Sequence, residues 1–252
     1  MLRIGCCGFP LGLSRYAREF PVGEVQRTFY RLPKRETVLR WRENVPEDFL
    51  FTVKAWQGIT HPAKSPTYRR AGLTLREDVL KQLGHFQPTE PVFEGWKAIR
   101  ETAAVLRAPI VLLQAPPSFR ETAGHEENLR GVLSGIDREG IRIALELRSP
   151  WERKRLAAVC SEFDLIHCVD PFGEEPVTGP PFYLRLHGAP PGKRRYAYQY
   201  TTGDLEWLRG RIAGWAAERD VYCLFNNFSM AKDAMAFRDL FMNPRGSAGS
   251  GP

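Results

Sequence analysis

Short runs rich in β-branched and aromatic residues alternate along this chain with segments in which apolar residues recur every three or four positions. Runs of this length and composition are typical of strands, and the three-to-four spacing is typical of helices. We predict eight strands, at Leu2–Phe9, Glu24–Tyr30, Phe49–Trp56, Ile110–Ala115, Arg142–Arg148, Asp164–Asp170, Phe182–His187 and Val221–Asn227.

The segments between these runs have helical periodicity. Val92, Trp96 and Ile99 recur at helical spacing, and residues 205–215 repeat the pattern. Eight alternations of strand and helix favour an α/β fold, a single (β/α)8 barrel of the TIM type. The alternative is an open, doubly wound sheet, but no GxGxxG motif follows the first strand, which disfavours dinucleotide binding. Residues 57–91 predict a long insertion after the third strand.

Two segments carry signals for the start of a helix. Ser149 suits an N-cap, Pro150 suits the first helical position, and Glu152 is placed to complete a capping box. Thr201 with Asp204 is a weaker example of the same pattern. We therefore expect helices to begin at both places.

Residues two apart on a strand share a face, which separates an apolar side from a polar one. Ile143 and Leu145 share the apolar face of the fifth strand, whereas Glu146 and Arg148 share the other. Because helices cover the outside of a barrel, the polar face must point inward, toward the strand ends where barrel enzymes place their chemistry. The same parity turns further residues inward: Glu24, Gln26, Thr28, Tyr30, Thr52, Lys54, Trp56, Gln114, Tyr183, Arg185 and His187.

The composition indicates one large core. The chain has 252 residues, 43% hydrophobic and 26% charged, which excludes global disorder. No apolar stretch approaches the roughly 20 residues of a membrane helix, and no secretory signal is expected. Five cysteines without CxxC spacing argue against disulfides or structural zinc and favour the cytoplasm. We expect one domain over residues 1–242 and a flexible tail over residues 243–252.

A set of motifs, in order along nearly the whole chain, resembles the YecE-like family (domain of unknown function 72). The motifs are IGCCGF (4–9), GEVQRTFYRLP (23–33), FLFTVKAW (49–56), ITH (59–61), QAPPSF (114–119), LELRSPW (145–151), YLRLHG (183–188), YAYQY (196–200) and LFNNFSMAKDA (224–234). The resemblance implies a TIM barrel similar to xylose isomerase and endonuclease IV. It suggests sugar-phosphate or nucleic-acid chemistry and supplies no established reaction.

Three residues are candidates for catalysis. Glu146 is either a general base or the structural partner of Arg148. His187, at a strand end and followed by a glycine, either transfers protons or is a buried histidine bonded to a carbonyl. His61, in the insertion, either completes an acid–base pair with His187 or packs the loop.

Other polar residues are candidates for binding a substrate. Arg148 and Arg185 suit an anion clamp. Lys54 suits a phosphate contact or an ion pair with Glu24, and Asp170 is a carboxylate ligand or a turn residue. The full set is Arg148, Arg185, Lys54, Glu24, Tyr30, Gln114, Asp170, Asn226, Asn227 and Tyr198.

The case for a metal is weaker than the case for an anion. Glu24, Glu146, Asp170 and His187 are residue types that bind zinc or manganese. However, no HxH or HExxH spacing occurs, and the chain has only five histidines. The sequence therefore requires no cofactor and leaves a divalent metal as the alternative.

Basic residues occur beside aromatic residues on connections of one predicted face, which suits a polyanion whose bases or sugars stack. They are Arg31, Lys34, Arg35, Arg69, Arg70 and Lys193–Arg195, the last followed by Tyr196, Tyr198 and Tyr200. With a formal charge of +7, the alternative is an ordinary solvated surface. We expect binding or processing of a phosphorylated or sugar-containing ligand, including nucleic acid, by a hydrolase or isomerase. The alternatives are a non-catalytic nucleic-acid-binding module and a small-molecule sensor or scaffold.

Overall fold

The strands close into a parallel barrel in chain order. The computed structural model describes residues 1–72, 74–188 and 195–242, apart from the side chains of Arg195 and Glu218. Each strand pairs with the next one in sequence, and the last pairs with the first. The strands are β1 Leu2–Cys7, β2 Val22–Val25, β3 Leu50–Lys54, β4 Ile110–Ala115, β5 Arg142–Leu147, β6 Leu165–Val169, β7 Phe182–Leu186 and β8 Val221–Phe225. The predicted barrel is confirmed.

Helices connect the strands. They are α1 Leu13–Glu19, α2 Arg27–Tyr30, α3 Arg35–Glu43, α4 Gln57–Thr60, α5 Pro66–Ala71, α6 Glu77–Leu80, α7 Glu90–Leu106, α8 Ala123–Gly135, α9 Arg153–Glu162, α10 Thr202–Glu218 and α11 Met230–Met242, with a 3₁₀ turn at Arg195–Ala197. The predicted insertion after β3 is confirmed, since α4, α5 and α6 precede α7. In the ranges given above, no helix has the length and apolar character needed to cross a bilayer.

Two apolar layers hold the barrel, as strand parity predicts. Ile143 and Leu145 of β5 belong to the large layer between strands and helices. Ala144 of the same strand belongs to a separate cluster inside the barrel, together with Leu112 and Tyr183. The interior is therefore a packed core at one level and carries polar side chains at another.

The predicted second strand is wrong beyond Val25. Gln26 has helical backbone angles, and the next four residues form α2. The Thr28 hydroxyl donates to the carbonyls of Val25 and Lys54, at 3.1 and 2.6 Å. Tertiary bonds of this kind override the strand preference of a β-branched and aromatic run. The shared inward face predicted for residues 24–30 is lost with the strand.

The helix after β5 begins later than predicted. Its N-cap is Glu152, and α9 begins at Arg153 rather than at Pro150. The Ser149 hydroxyl donates to the carbonyl of Phe119, and the Trp151 indole nitrogen donates to the same carbonyl at 3.3 Å. These bonds hold the segment against the preceding loop, so Ser149 is not available as a cap.

The start predicted for α10 is confirmed. The Thr201 side chain accepts from the backbone of Asp204 at 3.2 Å, and the Asp204 carboxylate accepts from the backbone of Thr201 at 2.8 Å. The predicted tail at residues 243–252 lies outside the described residues, as do Lys193 and Arg194.

Trp56 does not point into the barrel as predicted. It follows the end of β3, and its ring lies against Gly58 and Gly95. It fills the space that a side chain at either position would occupy. A Cβ atom at Gly95 would lie 2.5 Å from the ring. The indole therefore joins the insertion to α7 in the outer core.

Candidate functional site

Strand register aligns inward-facing polar residues on neighbouring strands. Glu24 of β2 lies opposite Thr52 of β3, and Gln114 of β4 lies opposite Glu146 of β5. Glu24, Thr52 and Glu146 are buried. Because a buried polar group is costly unless it is bonded, this layer must satisfy itself with partners from other strands.

Arg185 of β7 neutralises two carboxylates at the centre of this layer. Its Nη2 lies 3.0 Å from Glu24 Oε1, and its Nη1 forms an ion pair with Glu146 Oε2. Nη1 also donates to Gln114 Oε1 at 3.3 Å, and the Tyr183 hydroxyl donates to Glu24 Oε2 at 2.7 Å. Arg185 and Glu24 are 0% exposed. Binding a ligand at Arg185 would require these bonds to break.

Arg148 meets the same network from the rim. Its Nη2 lies 2.7 Å from Glu146 Oε1 and donates to His187 Nε2 at 2.6 Å. Its Nε is buried and has no hydrogen-bond partner among the described residues. Since 11% of this side chain is exposed, Arg148 keeps donor capacity beside solvent.

His187 is oriented by Asp170. The backbone N–H of His187 donates to Asp170 Oδ2 at 2.9 Å, and the ring Nδ1 lies 3.3 Å from the same oxygen. An arginine only donates, so His187 Nε2 accepts from Arg148 and the ring proton is on Nδ1. Burial lowers the pKa of His187 to about 4, although Asp170 opposes this. The imidazole is therefore neutral near pH 7.

Glu146 is held as a carboxylate. Burial by itself raises the pKa of this group, but Arg185 and Arg148 outweigh burial and lower it well below the usual range. A carboxylate stabilised by two guanidinium groups is a weak base. This favours the structural alternative for Glu146, in which it positions Arg148 rather than taking a proton.

A cleft opens beside these groups. It has a volume of about 270 Å³, and its lining includes Glu146, Arg148 and Asp170. Ser149, Gly173 and Glu174 also line it. The cleft therefore brings Arg148 to the edge of a space with the volume of a small molecule.

His61 and Lys54 form a second group at the barrel mouth. Both contact Phe29: the His61 ring centroid is 4.9 Å from that of Phe29, and Lys54 Nζ is 4.0 Å from it. The predicted ion pair between Lys54 and Glu24 is wrong, since Lys54 makes no ion pair with a described residue. His61 bonds to Thr60 rather than to His187.

Tyr30 lies on α2, which replaces the end of the predicted strand. Its side chain lines another cleft, of about 450 Å³, together with Arg27, Arg31, Trp41 and Arg70. Its ring also contacts that of Phe29, with centroids 5.0 Å apart. The strand face that Tyr30 was predicted to share with Glu24 is therefore wrong. Of the basic residues expected beside aromatic ones, Arg31 and Arg70 line this cleft.

The loop after β8 uses its predicted site residues internally. Asn227 Nδ2 donates to Tyr198 O at 2.7 Å and to Asp233 Oδ2 at 2.6 Å. The Tyr198 hydroxyl donates to Asp204 at 2.7 Å. Asn226 donates its backbone N–H to Leu186 O at 2.7 Å, and its side chain is partly exposed. Ligand contacts at these three residues stay predictions.

Two residues beside the candidate site were not among the predicted site residues. Tyr196, which the sequence offered only as an aromatic neighbour of the basic run, lies against His187, with ring centroids 5.7 Å apart. Phe29 contacts Lys54 and His61. The placement of Phe29 could not be read from spacing, because α2 has no sequence signal that outweighs its strand-like composition.

All five cysteines are buried and form no disulfide bond, and Cys7 faces the barrel interior, where burial raises its pKa well above the usual value. Among residues 1–72, 74–188 and 195–242, no group of three or more His, Cys, Asp or Glu side chains is placed to hold a metal ion.

Comparison with known proteins identifies relatives over the whole barrel. The family model described as protein of unknown function DUF72 matches residues 9–248. The Bacillus subtilis protein YunF is 26% identical over 250 residues, covering 86% of this chain and 80% of its own length. Escherichia coli YecE is 49% identical over 51 residues, a match that spans only 19% of that relative. The resemblance drawn from the motifs is confirmed.

Solved structures share the architecture. A DUF72 family protein from Enterococcus faecalis has a TM-score of 0.70 at 23% identity, covering 96% of each chain. More distant is endonuclease IV from Thermus thermophilus, with a TM-score of 0.51 at 14% identity, covering 95% of this chain and 97% of its own. A D-psicose 3-epimerase has a TM-score of 0.51 at 12% identity, covering 94% and 93%. Likeness at these identities establishes the fold alone.

Proposed function

Given that the chain belongs to the family of proteins of unknown function DUF72, we propose its function from the site itself. It binds and processes a phosphorylated or sugar-containing ligand in the cleft at the C-terminal face of the barrel. The fold is shared with a D-psicose 3-epimerase and an endonuclease IV, which makes a sugar or nucleic-acid ligand consistent with the architecture. Fold likeness does not supply the reaction.

The observation that carries this proposal is the state of Arg148. Its guanidinium lines a cleft and contacts both a carboxylate and a neutral imidazole. A phosphate oxygen in that cleft offers the guanidinium a charge-assisted hydrogen bond, which is the stronger kind. Arg185 also has an Nε without a partner among the described residues, but its side chain is fully buried and has no comparable access.

His187 would supply the proton transfer. When Arg148 turns toward an anionic ligand, the lone pair on His187 Nε2 is released and can accept a proton from the ligand. Asp170 meanwhile holds the Nδ1 proton and stabilises the imidazolium that forms. General base catalysis of this type contributes about 10²- to 10⁴-fold to a rate. The proton acceptor serves a hydrolase or an isomerase equally.

Phosphate affinity tests this proposal. We expect inorganic phosphate and ribose 5-phosphate to bind the full-length protein in calorimetric titrations, and Arg148→Gln to weaken binding about tenfold or more. The matched control is Arg219→Gln, which removes the same charge from an exposed position before β8. Equal affinity in the Arg148 variant and the wild type would place the ligand elsewhere.

A second candidate function is nucleic-acid binding without catalysis, and the cleft beside Tyr30 favours it. Arg27, Arg31 and Arg70 line this cleft together with the aromatic rings of Tyr30 and Trp41. Arg31 already donates to the carbonyls of Ala71 and Gly72, which leaves the other two arginines for phosphates. Rings between arginines suit a strand whose bases stack while its backbone is neutralised.

Salt dependence distinguishes this second candidate. Binding of a fluorescent single-stranded oligonucleotide should weaken steeply as salt rises, and Arg27→Gln with Arg70→Gln should lower the slope by about 1.4 (about 0.7 per phosphate contact). The Arg219→Gln control should keep the slope. If no binding is seen at the lowest salt, this candidate fails while the phosphate cleft is unaffected.

A further inference from the structure

Lys54 is a buried amine that the fold leaves without a partner. It is the last residue of β3 and is 8% exposed. No described residue makes a hydrogen bond or ion pair with its Nζ, which lies over the ring of Phe29, 4.0 Å from the centroid. Arg185 in the same barrel is bonded to two carboxylates. Among the described residues, Lys54 therefore lacks the carboxylate partner that Arg185 has.

The surroundings of Lys54 favour its uncharged form. Burial is the main cause, and Arg185 and Arg148 add repulsion that Glu24 and Glu146 only partly offset, so the pKa of Lys54 falls to about 7. An uncharged lysine amine is a nucleophile. The repulsion from Arg148 also means that the amine lies within electrostatic range of the proposed phosphate cleft.

A proton-transfer group lies beside the amine. The rings of Phe29 and His61 are in edge contact, with centroids 4.9 Å apart. His61 Nδ1 is bonded to the Thr60 hydroxyl at 2.8 Å, while its Nε2 has no hydrogen bond to a described residue. Burial lowers the pKa of His61 to about 3, so the ring is neutral and can exchange a proton through Nε2.

We propose that Lys54 forms a Schiff base with the carbonyl carbon of an open-chain sugar phosphate, an inference that rests on the proposed function and specifies its substrate class. The Nζ lone pair attacks the carbonyl carbon, and one Nζ proton is transferred to the carbonyl oxygen to give a neutral carbinolamine. The hydroxyl takes one further proton from solvent, the C–O bond breaks as the nitrogen lone pair forms the C=N bond, and water leaves. One amine, one carbonyl and one proton thus give one iminium and one water, with no oxidation or reduction.

His61 and Arg148 serve the two ends of this substrate. His61 Nε2 accepts the proton that Nζ releases on attack and passes it to the carbonyl oxygen. Arg148 holds the phosphate. The iminium withdraws electrons from the neighbouring carbon, which prepares the substrate for isomerisation or for cleavage of a carbon–carbon bond.

Reductive trapping tests the Schiff base. The full-length protein is incubated at pH 7 with D-glyceraldehyde 3-phosphate and sodium cyanoborohydride, which reduces an iminium to a stable amine, and the labelled lysine is located by peptide mass spectrometry. The chain has only eight lysines, so each can be followed. We expect labelling of Lys54 to be about tenfold or more faster than that of the exposed Lys97.

Two variants and one substrate change make the result decisive. Lys54→Arg keeps a long basic side chain but removes the primary amine and should lose the fast label, whereas Lys97→Arg should keep it. Glyceraldehyde without phosphate should label Lys54 more slowly. Equal labelling by both aldehydes would support the Schiff base and contradict phosphate binding at Arg148. Phosphate binding with Lys54 labelled no faster than Lys97 would overturn the Schiff base and leave the proposed function standing.

Discussion

Two arginines contact the same carboxylate, and their surroundings differ. Arg185 reaches Glu146 from inside the barrel, is 0% exposed, and has Glu24 on its other side. Arg148 reaches Glu146 from the rim, keeps 11% of its side chain exposed, and lines a cleft. Depth along the barrel axis therefore separates a structural ion pair from one that is available to a ligand.

The largest expected effect is on the inner arginine. Arg185→Met should lower the free energy of unfolding by about 3–5 kcal/mol, because it leaves Glu24 and Glu146 buried with reduced compensation. Urea unfolding followed by circular dichroism measures this change. Lys54 and Arg148 cannot replace the lost pair with Glu24, since neither contacts it. A loss below about 1 kcal/mol would mean that water reaches Glu24 and Glu146 inside the barrel and screens their charges.

The second effect concerns the pH dependence of stability at the rim. The pKa of His187 is about 4 in the folded chain and about 6.5 when unfolded. Between these values only the unfolded chain binds the proton, so acidification costs stability, up to about 3 kcal/mol at pH 4. Above pH 6.5 the group contributes nothing to the pH dependence.

His187→Gln isolates this contribution. His61 and His167 are also buried with lowered pKa values and shift stability in the same direction, so the variant retains the slope that these two histidines contribute. Unfolding free energies measured between pH 7 and pH 4 should therefore fall less steeply in the variant. Parallel curves for variant and wild type would show that His187 already carries a proton in the folded chain.

The third effect is on the outer arginine. Arg148→Met should cost about 1–2 kcal/mol, because His187 Nε2 loses its donor while Glu146 keeps Arg185. The same variant should lose phosphate binding. Replacing Arg185 should therefore mainly reduce stability, whereas replacing Arg148 should mainly reduce phosphate affinity. Urea unfolding and calorimetry on the two variants test this together. A stability loss as large as that of Arg185→Met would make the rim as structural as the interior.

The smallest effect is expected at Tyr198. Tyr198→Phe removes one hydrogen bond to Asp204 and should cost about 1 kcal/mol, with phosphate affinity unchanged. Tyr196→Phe is the matched variant, since that ring lies against His187. If the Tyr198 variant loses affinity and the Tyr196 variant does not, the site extends toward α10.

The inward-facing polar layer could be predicted from the sequence because strand parity depends only on the backbone. Glu146, Arg185 and Glu24 meet as that rule implies, and Ile143 and Leu145 face the helices. Tyr30 could not be placed, since hydrogen bonds from Thr28 to other strands turn its segment into a helix. The sequence also could not show that His61 bonds to Thr60 rather than to His187, because this depends on how the insertion packs.

What the chain alone determines is therefore the barrel, its insertion and the set of side chains that enter it, because hydrophobic periodicity fixes which face of each element is covered. Only the tertiary structure decides the role of each charge. Whether a guanidinium or an amine is bonded on all sides or left facing a cleft depends on depth, on neighbouring strands and on partners distant in sequence. Lys54 and Arg185, both inward-facing by parity, differ for this reason: one meets two carboxylates, and the other meets a ring.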